Sequence, residues 1–369
     1  MPTMNNIADN TQTPPCTHYG TCGGCSLQHL SQSAYYSFKK ELILNIIDEI
    51  GLDNNIVSDV VKIGQHSRRR ADFKIEVVKG EIKIGFYAAK SHDVVEINQC
   101  PVSENSLVQF LPKLKNILSS LKKPGAVKSV SVTDLDNGLD VIVITKTPLK
   151  ASDKQKLLNA AKEHNIIRLS EKEDNKRANC IFDSNMAKVN FSNYEVELPV
   201  GAFLQATIKG QNEITHIVKK FANDSKKIAD LFSGCGTYSF PLVDKADYIA
   251  CYEGGYEMVM ATNNTANKYG IANKLLAKNR DLFTDPLNDS ELNNFDAVVI
   301  NPPRAGAQNQ AKQIAKSTVA KIIMVSCSPS SFKKDAKILL KGGYKLTKVI
   351  PIDQFYWSGH LELVAIFVK

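Results

Sequence analysis

A chain of 369 residues that is 43% hydrophobic and 23% charged has ordinary globular composition and length for two or three domains. No stretch reaches the roughly 18 uninterrupted apolar residues of a membrane span, and the first fifteen residues show no basic-then-apolar signal peptide. A cytoplasmic monomer without an obligate protein partner is therefore expected, and a net charge of +8 favours nucleic acid as a partner, although many soluble enzymes share such an excess.

Residues 1–15 read as a disordered tail. The next stretch holds Cys16, Cys22 and Cys25, spaced five residues and then two, with glycines at 20, 23 and 24 that let the backbone wrap closely. A fourth cysteine follows far away in Asn98-Gln99-Cys100-Pro101. In a reducing compartment such cysteines suggest metal rather than disulfides. Four thiolates suit structural zinc. Three close thiolates plus a distant one before proline suit a [4Fe–4S] cluster better, because zinc sites usually show two matched pairs. The spacing does not suggest radical chemistry.

Residues 33–50 read as a helix, with Ser33 as its cap and Leu42, Ile43, Ile46, Ile47 and Ile50 as its stripe; 33–59 forms a linker that can pack on the catalytic half. Residues 60–200 read as a small α+β domain. Strands at 74–78 and 82–87 flank Lys79-Gly80-Glu81, and strands at 129–133 and 139–145 flank Asp136-Asn137-Gly138. Helices are expected at 103–121 and 152–164. His66-Ser67-Arg68-Arg69-Arg70 at the entrance of this domain is either a solvated basic turn or a phosphate contact for RNA.

Beyond about 212 strands and helices alternate, which implies a doubly wound, mostly parallel sheet over 201–369. A strand at 228–232 runs into Ser233-Gly234-Cys235-Gly236-Thr237. Asp230, the glycines and an acid at the next strand end, Glu253, resemble the S-adenosylmethionine loop of class I methyltransferases. The full dinucleotide fingerprint and the P-loop are both absent; a nicotinamide enzyme would use a similar ribose contact. Asn301-Pro302-Pro303 ends another strand and strengthens the methyltransferase reading. Exocyclic amine methyltransferases usually place an aromatic next, whereas here Arg304 follows.

The run at 322–325 leads into Ser326-Cys327-Ser328-Pro329, and the proline stops the strand, so a thiol stands where a parallel sheet places its chemistry. Carbon 5 of uracil is a poor nucleophile until a thiolate adds to carbon 6; a base must then remove the carbon-5 proton. Cys327 suits the first role and Glu362 the second. The plainer alternatives are a buried core thiol, as expected for Cys180, Cys235 and Cys251, and an outward-facing strand acid. Asp353 and His360 are expected to position the terminal loop.

With these motifs assembled, nearly the whole chain resembles the iron–sulfur-containing RNA (uracil-5-)-methyltransferases. The matching residues are Cys16, Cys22, Cys25 and Cys100, the Phe203-x-Gln205 pair, the loop 230–236, the nucleophile motif 326–329 with Ser328 in place of Asn, and His360-x-Glu362. The resemblance implies a Rossmann-like class I methyltransferase domain, a smaller α+β central domain that contacts RNA, and an N-terminal iron–sulfur loop over 16–32 with Cys100. It also implies S-adenosyl-L-methionine contacts at Gln205, Phe232, Thr237, Glu253, Asp281 and Asn301, with Cys327 as nucleophile and Glu362 as base.

The chain departs from the family in having Asn301 where an aspartate is usual, and in having only fifteen residues before Cys16, too few for the RNA-binding barrel of many members. Cluster-bearing members mostly act on large-subunit ribosomal RNA, so 23S rRNA is the expected substrate. The alternatives are a transfer-RNA enzyme of the same chemistry, an inactive iron–sulfur RNA-binding protein, and an amine methyltransferase.

Overall fold

A computed structural model of the chain describes residues 10–174, 176–184 and 187–369; the first nine residues of the polar tail lie outside the described residues. The end of that tail has partners instead of being free. Gln12 N donates to His29 O at 2.7 Å and Ser31 N donates to Asn10 O at 2.7 Å, so extended backbone has found an open segment to pair with.

Helix α1 (Gln32–Glu49) starts just ahead of expectation, because Ser31 rather than Ser33 accepts the Ala34 N–H. Its buried stripe is Tyr35, Lys39, Ile43, Ile46 and Ile47, spaced for one helix face but with a lysine in the middle. In chain order there follow β1 (Val61–Lys62), β2 (Arg70–Val78), β3 (Glu81–Tyr87), β4 (Val94–Glu96), α2 (Asn105–Ser120), β5 (Val127–Leu135), β6 (Gly138–Thr145), α3 (Ala151–Glu163), β7 (Ile166–Glu173) and β8 (Asn179–Asp183). Strands β2 to β8 make one sheet in the order β4-β3-β2-β5-β6-β7-β8, against which α2 and α3 pack side by side. The β2–β3 hairpin turns through Lys79 and Gly80, both at positive φ (51° and 86°), the geometry that suits the right-handed twist of the strands.

A hairpin, β9 (Lys188–Phe191) and β10 (Tyr194–Glu197), leads to the catalytic half: α4 (Ile208–Phe221), β11 (Lys227–Leu231), β12 (Tyr248–Glu253), α5 (Tyr256–Lys268), β13 (Leu275–Asn279), α6 (Asp289–Leu292), β14 (Ala297–Ile300), α7 (Gln308–Lys316), β15 (Lys321–Ser326), α8 (Pro329–Lys341), β16 (Lys345–Asp353) and β17 (Glu362–Val368). The sheet runs β1-β16-β17-β15-β14-β11-β12-β13, and only β17 is antiparallel to its neighbours. All of β14 is buried, and a core lies on each side of the sheet, as expected where helices cover both faces.

Residues 60–200 are therefore not one unit. Val61 and Lys62 pair with Ile352 and Asp353 in the catalytic sheet. Val189, Phe191, Tyr194 and Val196 of the hairpin belong to the core under that sheet as well. Helix α1 also packs on the catalytic half, touching β16 and α8. Among the described residues no helix is long and apolar enough to cross a membrane.

The connection between the two sheets is pinned by a buried charge. Arg168 on β7 holds Asp140 on β6 through Nε to Oδ1 at 3.0 Å and Nη2 to Oδ2 at 2.7 Å, and its Nη1 donates to Leu198 O at 2.5 Å. Arg168→Leu leaves the Asp140 carboxylate buried without a counter-charge. It is expected to cost about 3–5 kcal/mol in denaturant unfolding, most of it recovered in the Asp140→Leu/Arg168→Leu double variant.

Candidate active site

The strand order reverses between β11 and β14, and sheets of this kind bind ligands in the crevice beyond such a point. After β11 the chain turns through Phe232, Gly234 and Gly236 at φ of 59°, 55° and 83°. The two glycines accept that geometry freely, whereas Phe232 is held in it. The Phe232 ring lies against Phe283, with centroids 5.3 Å apart. Glu253, at the tip of β12, accepts from Gly234 N at 3.0 Å and from Gly255 N at 2.8 Å, so one carboxylate ties two turns together at the crevice. Asp281 accepts from Phe283 N at 3.0 Å, and Asn301 N donates to Leu231 O at 3.2 Å, which sets Asn301 beside the end of β11. Beneath them Asp230 is fully buried. Burial pushes its carboxyl up to about 7 despite the Ser239 hydroxyl at 2.5 Å.

The other two residues expected at a cofactor have different surroundings. Gln205 spends its amide on protein partners: Nε2 donates to the Tyr238 hydroxyl at 2.8 Å, and Oε1 accepts from Gln354 Nε2 at 2.7 Å. Thr237 lines a polar groove between α4 and the β9–β10 hairpin, together with Asn190, His216 and Lys219.

Cys327 follows the last residue of β15. Ser328 caps α8, its Oγ accepting from Ser331 N, and Pro329 takes the first helical position, so the helix begins earlier than its apolar pattern indicates. Serine caps a helix as well as asparagine does, which makes Ser328 a workable substitute for the family's Asn. Cys327 stands just outside the positive end of α8, a place that favours a thiolate. Burial pushes its thiol up, the charge of Glu362 adds to this, and the Arg304 guanidinium pulls it back down.

Glu362 opens β17 and is buried. Burial pushes its carboxyl up to about 8, against a single bond from Gln354 Nε2 at 2.7 Å. The β15–β17 ladder pairs Ser326 with Leu363. One step further along the same antiparallel register sets Cys327 opposite Glu362.

Cys327, Arg304 and His360 line a cavity of about 420 Å³. Cys16, Cys22, Cys25 and Cys100 line the same cavity. The cysteine loop reaches it by bonding to the central sheet: Gly23 N donates to Tyr87 O at 2.9 Å, and the His18 ring lies 2.9 Å from Asn98 Oδ1. At Gly23 a Cβ would sit 2.9 Å from Tyr87 O, so this close approach requires glycine. The four thiols are free, and two of them accept hydrogen bonds, Cys22 Sγ from Gly24 N at 3.4 Å and Cys100 Sγ from Ser103 Oγ at 3.3 Å. Burial pushes Cys25 up to about 12, and the charges of Cys100, Cys22 and Cys16 add to the effect. Four free thiols in one cavity, two of them with donors to sulfur, match in chemistry the ligand set of a thiophilic metal centre. As the side chains stand, however, no group of three among the described residues is drawn into coordinating geometry.

The arginine run divides. Arg69 is buried, donating Nε to Gln205 O at 3.0 Å and Nη2 to Gln211 Oε1 at 2.7 Å, so it braces the segment before α4 and cannot reach a phosphate. Arg68 lines the cavity, and Arg70 lies 5.4 Å from the ring centre of Phe203, itself 58% exposed. Four residues not anticipated from sequence complete the site. Arg304 faces Cys327, Gln354 holds Glu362, and Tyr35 and Lys39 bond the loop before β17.

Comparison with known proteins identifies the reaction class. The family model for tRNA (uracil-5-)-methyltransferase matches residues 39–369. The chain belongs to this family. It is 34% identical over 373 residues to an uncharacterized RNA methyltransferase of Agrobacterium fabrum, covering 99% of the chain and 88% of the relative. It is also 30% identical over 373 residues to the 23S rRNA (uracil(1939)-C(5))-methyltransferase RlmD of Shewanella halifaxensis, covering 96% of the chain and 81% of that protein. The crystal structure of Pyrococcus abyssi tRNA (uracil-54, C5)-methyltransferase in complex with S-adenosyl-L-homocysteine shares the fold, with TM-score 0.71, 19% identity and coverage of 94% of this chain and 86% of that one. A class I, S-adenosyl-L-methionine-dependent methyltransferase fold and RNA (uracil-5-)-methyltransferase membership are thus established.

Arg304→Ala is expected to slow alkylation of Cys327 by iodoacetamide several-fold at pH 7.5, followed by mass spectrometry of the peptide containing it, because the thiolate loses a neighbouring positive charge. A second prediction concerns Glu362, whose folded value of about 8 lies above the ordinary 4.5. The stability this group contributes is full below 4.5 and is lost as pH rises through 8. Glu362→Gln is therefore expected to unfold at higher denaturant than the parent at pH 9, with the gap closing at pH 4.5.

Proposed function

We propose that this protein methylates carbon 5 of a uridine in ribosomal RNA, most specifically 23S rRNA, with Cys327 as nucleophile and Glu362 as base. The observation that carries the proposal is the β15–β17 register, which pairs Ser326 with Leu363 and so brings the next residues, Cys327 and the buried Glu362, to the same end of the sheet, where the charge of one acts on the other. A core thiol or an outward strand acid would not be paired in this way beside a cavity.

The chain's own residues divide the work. Arg304 and the α8 terminus favour the Cys327 thiolate. Its sulfur adds to carbon 6 of the uracil, and the ring electrons shift to carbon 5 and the carbonyl oxygen at carbon 4. S-adenosyl-L-methionine, when bound, supplies the electrophilic methyl group that carbon 5 takes. The Glu362 carboxylate then accepts the carbon-5 proton, the electron pair restores the 5,6 double bond, and the carbon–sulfur bond breaks to release Cys327. The raised affinity of Glu362 for a proton suits it to this acceptance. Phe232, Glu253, Asp281 and Asn301 would hold the methyl donor at the crevice, with Gln205 and Thr237 flanking. In place of the family's aspartate, Asn301 offers an amide oxygen to the uracil N3–H without a charge.

We also assign Cys16, Cys22, Cys25 and Cys100 as the ligands of a [4Fe–4S] cluster with a structural role. Their spacing and shared cavity support this, and no step of the chemistry passes through it. The target base must leave its stack to enter the cavity. Ribosomal RNA is favoured by the activity of the Shewanella relative, whereas the family's tRNA (uracil-5-)-methyltransferase name favours transfer RNA.

Cys327→Ala is expected to abolish methylation while cofactor binding is retained, and Glu362→Gln to trap methylated RNA as an SDS-resistant complex. Transfer from radiolabelled donor to ribosomal and transfer RNA, with electrophoresis of the products, tests both. Turnover by the Cys327 variant or rapid release by the Glu362 variant would overturn the mechanism.

A further inference from the structure

Residues 354–361 join β16 to β17 and deliver Glu362 to its place, yet few of the bonds that shape this loop are its own. Lys39 Nζ donates to two loop carbonyls, Phe355 O at 3.3 Å and His360 O at 2.5 Å, and forms an ion pair with Asp353 Oδ1, the residue before the loop, at 2.8 Å. The Tyr35 hydroxyl donates to Asp353 Oδ2 at 2.7 Å and accepts from Trp357 N at 2.9 Å. Ser26 N and Leu27 N, just beyond the cysteine loop, donate to Trp357 O at 2.9 and 3.1 Å. Trp357 sits at φ 56°, a left-handed conformation that a bulky residue keeps only when its surroundings impose it. Both of its backbone polar groups are tied to the N-terminal segment.

The side chain of Glu362 has one hydrogen-bond partner, Gln354, the first residue of this loop, and Gln354 uses its other N–H on Gln205. The β-ladder fixes only the Glu362 backbone, through its pairing with Ile352. Where the carboxylate points therefore depends on the shape of the loop.

We propose that Tyr35 and Lys39 are positioning residues for the reaction, holding the 354–361 loop in the one shape that aims the Glu362 carboxylate at the carbon-5 proton. The inference rests on the reading of Glu362 as the base. The step it governs is proton removal with release of Cys327, not the formation of the carbon–sulfur bond. Loosening the loop should leave substrate binding intact and stall the enzyme after methyl transfer.

Trp357 is the only tryptophan of the chain, and its side chain is 2% exposed, so its fluorescence reports this loop independently of activity. Two variants suffice. Tyr35→Phe removes the two hydroxyl bonds and keeps the ring. Lys39→Met/Asp353→Leu replaces the buried ion pair with apolar groups of similar volume, an exchange that folds tolerate far better than removal of one partner. Both are expected to keep the far-ultraviolet circular dichroism of the parent, to shift tryptophan emission to the red, and to lower kcat about tenfold or more with KM for RNA unchanged. An SDS-resistant methylated RNA–protein complex should accumulate in both. Unshifted emission overturns the proposal, as does release of methylated RNA at the parental rate or slowing without accumulated complex. If the parent protein forms no covalent complex with 5-fluorouracil-containing RNA, the proposed chemistry has failed instead, and a red-shifted emission in the variants would still show the loop to be held as described.

Discussion

An ammonium and a carboxylate with no exposed surface face each other where α1 crosses the end of β16. Taking both charges out of water is costly, and their attraction offsets that cost only when the remaining protons and lone pairs also find partners. Here the lysine also donates to two carbonyls of a loop, and the second carboxylate oxygen accepts from the hydroxyl of a tyrosine one helical turn away. Burial lowers the proton affinity of Lys39 while Asp353 supports it, so the pair works as one unit or fails as one. An apolar pair would hold α1 on the sheet equally well. It would not dictate the path of the backbone between β16 and β17, and that path is what the polar arrangement specifies.

Around this anchor, opposing electrostatic tendencies meet in a small volume. The cavity beside Cys327 collects four further thiols, two arginines and two histidines. Burial works against the charged forms of several groups there, raising Cys22, Cys25 and Cys327 and lowering His360. At Cys327 the Arg304 guanidinium opposes the upward push of burial and of the Glu362 charge without reversing it. Burial also separates the thiols: Cys235 and Cys251 are buried and pushed up by it, whereas Cys327 is only partly buried and lies near a guanidinium.

Much of this was legible in the sequence where a local rule had one solution. Pro329 had to end the strand before it, the glycines at 234 and 236 had to form a turn, and the alternating elements after 212 had to make a parallel sheet. Other features depended on contacts between residues far apart in the chain. A lysine in an apolar stripe ordinarily snorkels to water, so nothing adjacent to Lys39 signalled its partner some three hundred residues on. Val61–Lys62 is too short for its alternation to show which sheet it joins. The hairpin at 188–197 carries the same strand pattern as the central domain and differs only in which core it covers. The arginine run holds a lesson that was available earlier. Neighbouring side chains on extended backbone point to opposite sides, so three consecutive arginines entering a strand cannot all face solvent. Arg69 is the one that turns in.

The Tyr35–Asp353 hydrogen bond spans 318 residues of sequence. At ordinary ribosomal rates of roughly 5–20 residues per second, α1 would wait roughly 15–60 s for its counterpart. Throughout that interval Lys39 lacks its carboxylate, and the apolar face has only nearby residues such as Val57 to rest on. The nascent polypeptide therefore carries a helix without its catalytic-half partners through most of its synthesis, since α8 and β16, on which it packs, are among the last elements to leave the tunnel.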